Sequence, residues 1–450
     1  MIRPRQGICA ARFNSRTCSQ PIPFEDFWHM TSFDLNPDKR HDPYAALRSR
    51  DFRLLLTGRF ITMFGSEMLS FAISWELWLR THKAFSLGLV GLVQVLPIFL
   101  FSLPAGHVAD QYNRRRIVMI TRGSYAVCAL GLAWLSYTQG PLVFIYLCLL
   151  GIGVCRAFND PASSTLLPET VPPELFASAA TWSSSLWQLA SIAGPAVAGL
   201  IVALGNRVTV IYLYDACGSI VFLVLLAMIR GRKLALSSKS ATWDSLTEGL
   251  RFIRDTKVIL AAITLDLFAV LFGGAVALLP IYATDILKVG AKGLGILRAA
   301  PSIGAVIVAF AVAHLPPFKR AGKTLLLAVA GFGIATIVFG MSKIFWLSIA
   351  MLLVLGGLDN ISVIVRHTLM LTRTPDEMRG RASAVNGLFI SASNELGSFE
   401  SGLVASLFGP VISVVGGGIG TIVVAVVAAK IWPEMRNLKT LSAHESHPTK

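Results

Sequence analysis

Ionisable side chains stand inside stretches that are otherwise apolar: Glu67, Glu76, Arg156, Asp215, Asp266, Arg298, Asp359, Arg366, Glu395 and Glu400. A charge in such a setting is costly unless it is paired or hydrated, so each is a candidate for function. The chemistry on offer is reversible. A carboxyl near the middle of a membrane can take up a proton on one side and release it on the other when its surroundings change. Glu67 and Glu395 lie nearest the middle of their apolar runs, and Asp359 is also central. Arg366 follows Asp359 by seven residues, two turns along one helical face. Arg156 precedes Asp160 by four residues, the spacing of an intrahelical ion pair. A fixed ion pair joining two helices is the plainer role for at least half of this set. Trp75, Trp78, Trp182 and Trp187 could line an aromatic substrate path, although aromatics in apolar runs more often serve packing or the membrane interface.

Bond-making chemistry finds little support. The cysteines (Cys9, Cys18, Cys128, Cys148, Cys155 and Cys217) form no C-x-x-C pair and no cluster with histidine at zinc spacing. The histidines are scattered, with no H-E-x-x-H. The stretch from Pro317 to Thr324 ends like a phosphate-binding loop but starts with proline where glycine is required, and Gly416 to Gly420 lie inside an apolar run. The expectation is therefore no metal, no cofactor and no enzymatic activity.

The elements that must position these groups follow from composition. The chain has 450 residues, 54% hydrophobic and only 14% charged, against about 25% charged in soluble domains. Its mean hydropathy is +0.64. Lipid is the solvent such a surface calls for. Apolar runs long enough to cross about 30 Å of hydrocarbon recur at 54–79, 86–108, 117–137, 142–167, 176–204, 207–229, 258–283, 294–315, 324–341, 344–371, 382–408 and 410–431. The polar connection 230–257 divides them six and six. Within it, Trp243, Leu246, Leu250 and Ile253 recur at helical spacing, which predicts a helix lying on the membrane surface. A shift of 203 residues lays Gly153 on Gly356, Glu174 on Glu377, Gly194 on Gly397, Gly199 on Gly402 and Leu204 on Leu407, as internally repeated transporters show.

Net charge is +15, which alone would suggest nucleic acid. Its distribution says otherwise. With both termini on one side, and run-end residues counted with the face they adjoin, 29 of the 40 Lys+Arg fall on that side, 6 on the other and 5 in the interior of the runs. Positive charge stays inside, so both termini are expected to be cytoplasmic. Residues 1–29 hold Arg3, Arg5, Arg12 and Arg16 but no apolar core, which excludes a secretory leader. An Arg-rich transit peptide and a start placed ahead of the true initiator both fit, and initiation at Met30 is the expectation.

Between the second and third runs lies Gly106-His107-Val108-Ala109-Asp110-Gln111-Tyr112-Asn113-Arg114-Arg115-Arg116. It resembles the G-x-x-x-D-x-x-G-R-R/K motif of the major facilitator superfamily, with Asn113 in place of the second glycine. Asparagine tolerates the left-handed turn expected there. The resemblance implies a conformational latch of Gly106, Asp110, Arg114 and Arg115. Asp110 would meet a helix N-terminus or an arginine of the other half, and Arg114 would meet Asp160 at the end of span 4. Anchoring of the arginines to anionic lipid is the alternative. Arg156 resembles the span-4 arginine that the superfamily's antiporters link to proton coupling, with Asp160 where that motif prefers glycine. In span 5, Ala190 to Gly199 resembles the exporters' G-x-x-x-G-P-x-x-G-G signature through Gly194, Pro195 and Gly199, although close helix packing alone would also select small residues. Asp51 to Leu55, Pro375 to Arg381 and Asn394 to Gly402 are similar to the branch that holds the enterobactin exporter and secretion effectors.

The sequence thus predicts an all-α membrane protein with twelve transmembrane helices in two six-helix pseudo-repeats. The expected divisions are a cytoplasmic tail 1–53, a bundle 54–229, a linker 230–257, a bundle 258–431 and a cytoplasmic tail 432–450. The implied function is proton-coupled export of a small amphipathic molecule, such as a drug or siderophore, by a monomer in the bacterial plasma membrane. Its partners are that solute, protons and lipid, with no nucleic acid. The proton-coupling candidates are Glu67, Arg156, Asp359, Arg366 and Glu395. The rivals are proton-coupled import on the same fold and, more remotely, a polytopic membrane enzyme or sensor.

Overall fold

A computed structural model describes residues 42, 44–164, 166–205, 207–229, 243–316, 318 and 320–438. Expectations about residues 1–41, the 230–242 part of the connection and the 439–450 tail lie outside the described residues, as do the side chains of Asp110, Trp243, Leu246, Asp376 and Glu377. The long helices are α1 (Arg50–Thr81), α2 (Ala84–Gln111), α3 (Arg114–Thr138), α4 (Leu142–Ser164), α5 (Phe176–Ala203), α6 (Thr209–Met228), α7 (Lys257–Phe272), α8 (Gly290–His314), α9 (Ala321–Met341), α10 (Phe345–Arg373), α11 (Asp376–Phe408) and α12 (Pro410–Ile431). Among the described residues, 10 helices are long and apolar enough to cross a membrane by length and composition. The two outside that set, α1 and α11, run for 32 and 33 residues and carry their charge inside the helix.

Local sequence explains the ends. Asn113 caps α3, its side chain accepting from the Arg115 and Arg116 amides. Its φ is −61°, so it stands in that motif as a cap and not as the left-handed turn residue expected from the sequence. Left-handed His82 and Gln139 close α1 and α3. The expected span 258–283 is interrupted: α7 ends at Phe272 and continues as a 3-10 turn, Gly274–Leu278, and a π turn, Tyr282–Ile286. π turns recur at functional sites, and Val276 and Ala277 of this segment face the central cavity.

Packing repeats along the chain. In the first half α1 packs on α5 and α6, α2 on α4, and α3 on α4 and α6. In the second, α7 packs on α11 and α12, α8 on α10, and α9 on α10 and α12. The halves meet where α2 lies against α11 and α5 against α8. Adding six to each label turns the first set of pairs into the second and exchanges the two junctions.

The junctions sit toward one face, the one carrying turns 82–83, 139–141 and 342–344 (the far face). There one apolar cluster unites both halves, with Leu77, Leu149 and Tyr212 alongside Leu278, Leu294 and Phe339. At the opposite (near) face each cluster stays within a half: Leu55, Val118, Phe222 and Leu226 in one, and Leu265, Leu325, Val365 and Leu369 in the other. The helix Trp243–Asp255 also lies at the near face, but it is docked on protein instead of resting on lipid alone. Ile253 is buried with Ile259, Met370 and Val385, and Glu248 pairs with Arg381 at 2.5 Å.

Candidate functional site

A cavity of about 690 Å3 lies between the halves, bounded by α1 to α5, the α7 extension, α8 and α11. Six charged side chains line it: Glu67, Arg122, Arg156, Asp160, Arg298 and Glu395. Helical spacing explains the grouping. Ser66, Glu67 and Ser70 share one face of α1, and Asn394, Glu395 and Ser398 share one face of α11.

One ion pair joins the halves inside this space. Arg156 Nη1 of α4 lies 3.2 Å from Glu395 Oε1 of α11 and donates to Gln94 Oε1 of α2 at 3.0 Å. Arg156 therefore reaches across the cavity and does not pair within its own helix. Arg298 of α8 crosses the other way, donating from Nη1 to Ser70 Oγ of α1 at 3.2 Å. Glu67 stands within the electrostatic reach of both Arg298 and Arg156. Arg122 lies over the rings of Tyr125 and Phe222, 5.7 Å from each centroid.

The exporter-like stretch of α5 acts as backbone contact. Gly194 faces Glu67 and Phe64 of α1, where a methyl group would stand 2.6 Å from the Glu67 Cβ. Gly199 faces α8, where a methyl would stand 2.6 Å from the Ala291 carbonyl oxygen and 3.0 Å from the Gly295 Cα. The Pro195 carbonyl lies against Gly295. At the other junction Gly88 faces Gly402, with 2.9 Å from a built methyl to the Gly402 Cα. These contacts, the Phe85–Phe399 ring pair and the Trp78–Thr284 hydrogen bond of 2.8 Å close the far-face end of the cavity.

Several expected groupings are redistributed. Arg366 pairs with Asp266 Oδ2 at 2.6 Å and receives nothing closer from Asp359, which contributes through its charge and lines a small separate cleft with Asp266. Asp359 and Arg366 thus belong to a buried cluster inside the second half, away from the central cavity. Asp160 lines the cavity near Arg156, and no ion pair of Asp160 with Arg114 occurs among the described residues. Instead Arg115 donates to the Ala227 carbonyl at 2.7 Å, and the charges of Arg114 and Arg115 reach Glu169 in the near-face connection. Burial raises the Glu169 carboxyl above its ordinary range, and the two arginines oppose that shift. Gly106 lies in the last turns of α2, half-buried. Of the tryptophans, Trp187 lines the cavity, while Trp75 and Trp78 are core residues.

Sequence reasoning gave Arg122 no role. Its signal was present, as an arginine eight residues into an apolar helix, and the rule that marks intramembrane charge would have selected it. Gln94 and Tyr125 carried no comparable signal, because uncharged polar residues are common in such helices.

A family model described as a transmembrane secretion effector matches residues 41–449. The chain is 25% identical over 392 residues to the enterobactin exporter EntS of Escherichia coli (strain K12), covering 86% of this chain and 93% of that protein. The same figures hold for EntS of Shigella dysenteriae serotype 1 (strain Sd197). Among solved structures, a bacterial homologue of the human lysosomal transporter Spinster, inward-facing and unoccupied, aligns with a TM-score of 0.67 at 15% identity, over 86% of this chain and 98% of that one. A bacterial homologue of the iron transporter ferroportin, inward-facing, aligns with a TM-score of 0.64 at 16% identity, over 86% and 99%. These likenesses extend to transporters and not to enzymes.

Proposed function

The chain belongs to the transmembrane secretion effector family of major facilitator transporters, and from that premise we propose that it exports a small amphipathic molecule in exchange for protons. It is a multi-pass protein of the bacterial inner membrane. The finer reading takes α1 to α6 and α7 to α12 as two six-span bundles, 54–229 and 258–431, joined by the linker 230–257. The mirrored packing supports this division. The excess of positive charge on the near face supports cytoplasmic termini and tails 1–53 and 432–450. With that orientation the cavity is sealed toward the periplasm and its halves part toward the cytoplasm, where an exporter loads. One chain supplies the whole cavity, which fits a monomer.

The observation that carries the exchange reading is the Arg156–Glu395 pair between the halves. While it stands, it holds α4 to α11. A proton on Glu395 breaks it, and so does a solute that engages either partner. The empty, deprotonated carrier is then held in place, whereas the protonated and the loaded forms can both reorient. Two alternative keys to one lock produce exchange, by biasing a two-state equilibrium from opposite sides of the membrane. Glu67, within reach of the same arginine, is the second proton-coupling candidate. The Asp359–Arg366–Asp266 cluster is a third, set apart from the solute path. The latch of Gly106, Asp110, Arg114 and Arg115 would steady the cytoplasmic side. Asp160 faces the cavity here, so Glu169 is the acid better placed for Arg114.

Export separates from import in inverted vesicles. An exporter accumulates solute there when the interior is acidified. Accumulation driven by the opposite gradient would make the protein an importer.

A further inference from the structure

We propose that the transported solute is a compact organic oxyanion, and that Arg122 and Arg298 hold its acidic group. The proposal rests on the cavity being the transport site. Three arginines and three acids line that cavity, so their numbers alone decide nothing. Their engagements do. Arg156 is paired with Glu395, and Asp160 accepts from Asn159 at 3.4 Å. Arg298 donates only to Ser70 among the described residues, and its Nε is buried without a partner. Arg122 makes no hydrogen bond and no ion pair among the described residues, and its Nε is likewise buried without a hydrogen-bond partner; its charge rests against the Tyr125 and Phe222 rings and within reach of Asp215, which lies outside the cavity lining. Each guanidinium carries five N–H donors. The cavity therefore presents a surplus of donors in the planar fork that matches a carboxylate, phenolate or phosphate. A guanidinium inside a membrane with most of its N–H donors unused is unfavourable unless something supplies acceptors, and an oxyanion supplies them.

The rest of the cavity sets the size and the body of that solute. About 690 Å3 is the range of drug-sized ligands. Trp187, 47% exposed, offers a ring face to an apolar body, with Tyr125 in the wall beneath Arg122. Glu67 is the internal competitor: its charge acts on Arg298, and the solute's acid takes its place. This gives the two acids different parts. Glu395 must release Arg156, which the bound acid in the same cavity attracts, for reorientation, and Glu67 must yield Arg298 for binding.

The test uses purified full-length protein in lipid nanodiscs and three probes on one scaffold: 2-naphthoate, 2-naphthamide and 2-naphthylmethylammonium. Calorimetric titration should show naphthoate binding at least tenfold more tightly than the other two. Arg122→Gln and Arg298→Gln should each weaken naphthoate at least tenfold, and the corresponding lysine variants should recover only part, because a point charge lacks the fork. Glu67→Gln should keep or tighten naphthoate binding. Equal or tighter binding of the ammonium probe, its loss in Glu67→Gln, or naphthoate affinity unchanged in both glutamine variants would each overturn the proposal. The cavity reading is tested separately by Ser398→Trp, which fills the space. Normal vesicle transport by that variant would remove the cavity as the transport site, whatever the probe preference.

Discussion

The far-face junctions offer the sharpest test of how the two halves move. At Gly199 a methyl group would lie 2.6 Å from the Ala291 carbonyl oxygen, whereas ordinary contact begins at 3.4 Å. In Gly199→Ala, α5 and α8 must therefore part by about 0.8 Å, the difference between those two distances. Both neighbours are backbone, so no side chain can swing away. Forcing an extra methyl into close packing costs about 1–3 kcal/mol. That penalty applies only while the far face is closed, because an open junction has room. The ratio of open to closed should rise about 5- to 150-fold, since about 1.4 kcal/mol is a factor of ten. Gly402→Ala should act alike at the other junction, where the added methyl meets the Gly88 backbone. The assay is the labelling rate of a cysteine at Ile73, 4% exposed here, by an impermeant maleimide added at the far face of protein lacking its native cysteines. The control is Gly387→Ala, whose added methyl has nothing within 4 Å. Labelling that stays at the wild-type rate in both junction variants would refute the idea that these glycine contacts hold the far face shut.

Further expectations concern the charged groups. Glu395→Gln removes a partly exposed pair worth about 1 kcal/mol, so the freed carrier should raise solute movement in the absence of a pH gradient about fivefold in a vesicle assay; exchanging the two residues (Arg156→Glu with Glu395→Arg) should restore the requirement for the gradient. Glu67→Gln should weaken the dependence of transport on the pH gradient while Glu395 keeps part of it, and an unchanged pH profile would exclude Glu67 as a proton carrier. Asp110→Asn should abolish flux while membrane insertion, checked by fractionation, stays normal. Trp78→Phe removes the hydrogen bond to Thr284 and should destabilise the closed far face by about 1 kcal/mol, read as faster labelling at Ile73.

The sequence by itself determined the solvent, the number of apolar runs and the candidate charges. Hydropathy is a local property, and about twenty apolar residues cross a bilayer whatever their neighbours. Gly199 and Gly402, which one shift of the sequence aligns, both occupy close helix junctions, where a side chain has no room. Motif resemblance located the loop at Asp110 to Arg116, but it assigned Asn113 a turn where the structure gives it a cap. The pairing of charges was not legible. Arg156 and Asp160 sit at ideal spacing on one helix, yet Arg156 bonds Glu395, 239 residues away. Arg366 likewise turns from Asp359 to Asp266 on another helix. Which ion meets which depends on helix rotation and on the packing of one half against the other. Both are set by side-chain volume summed over whole helices, a sum that only the tertiary structure carries out.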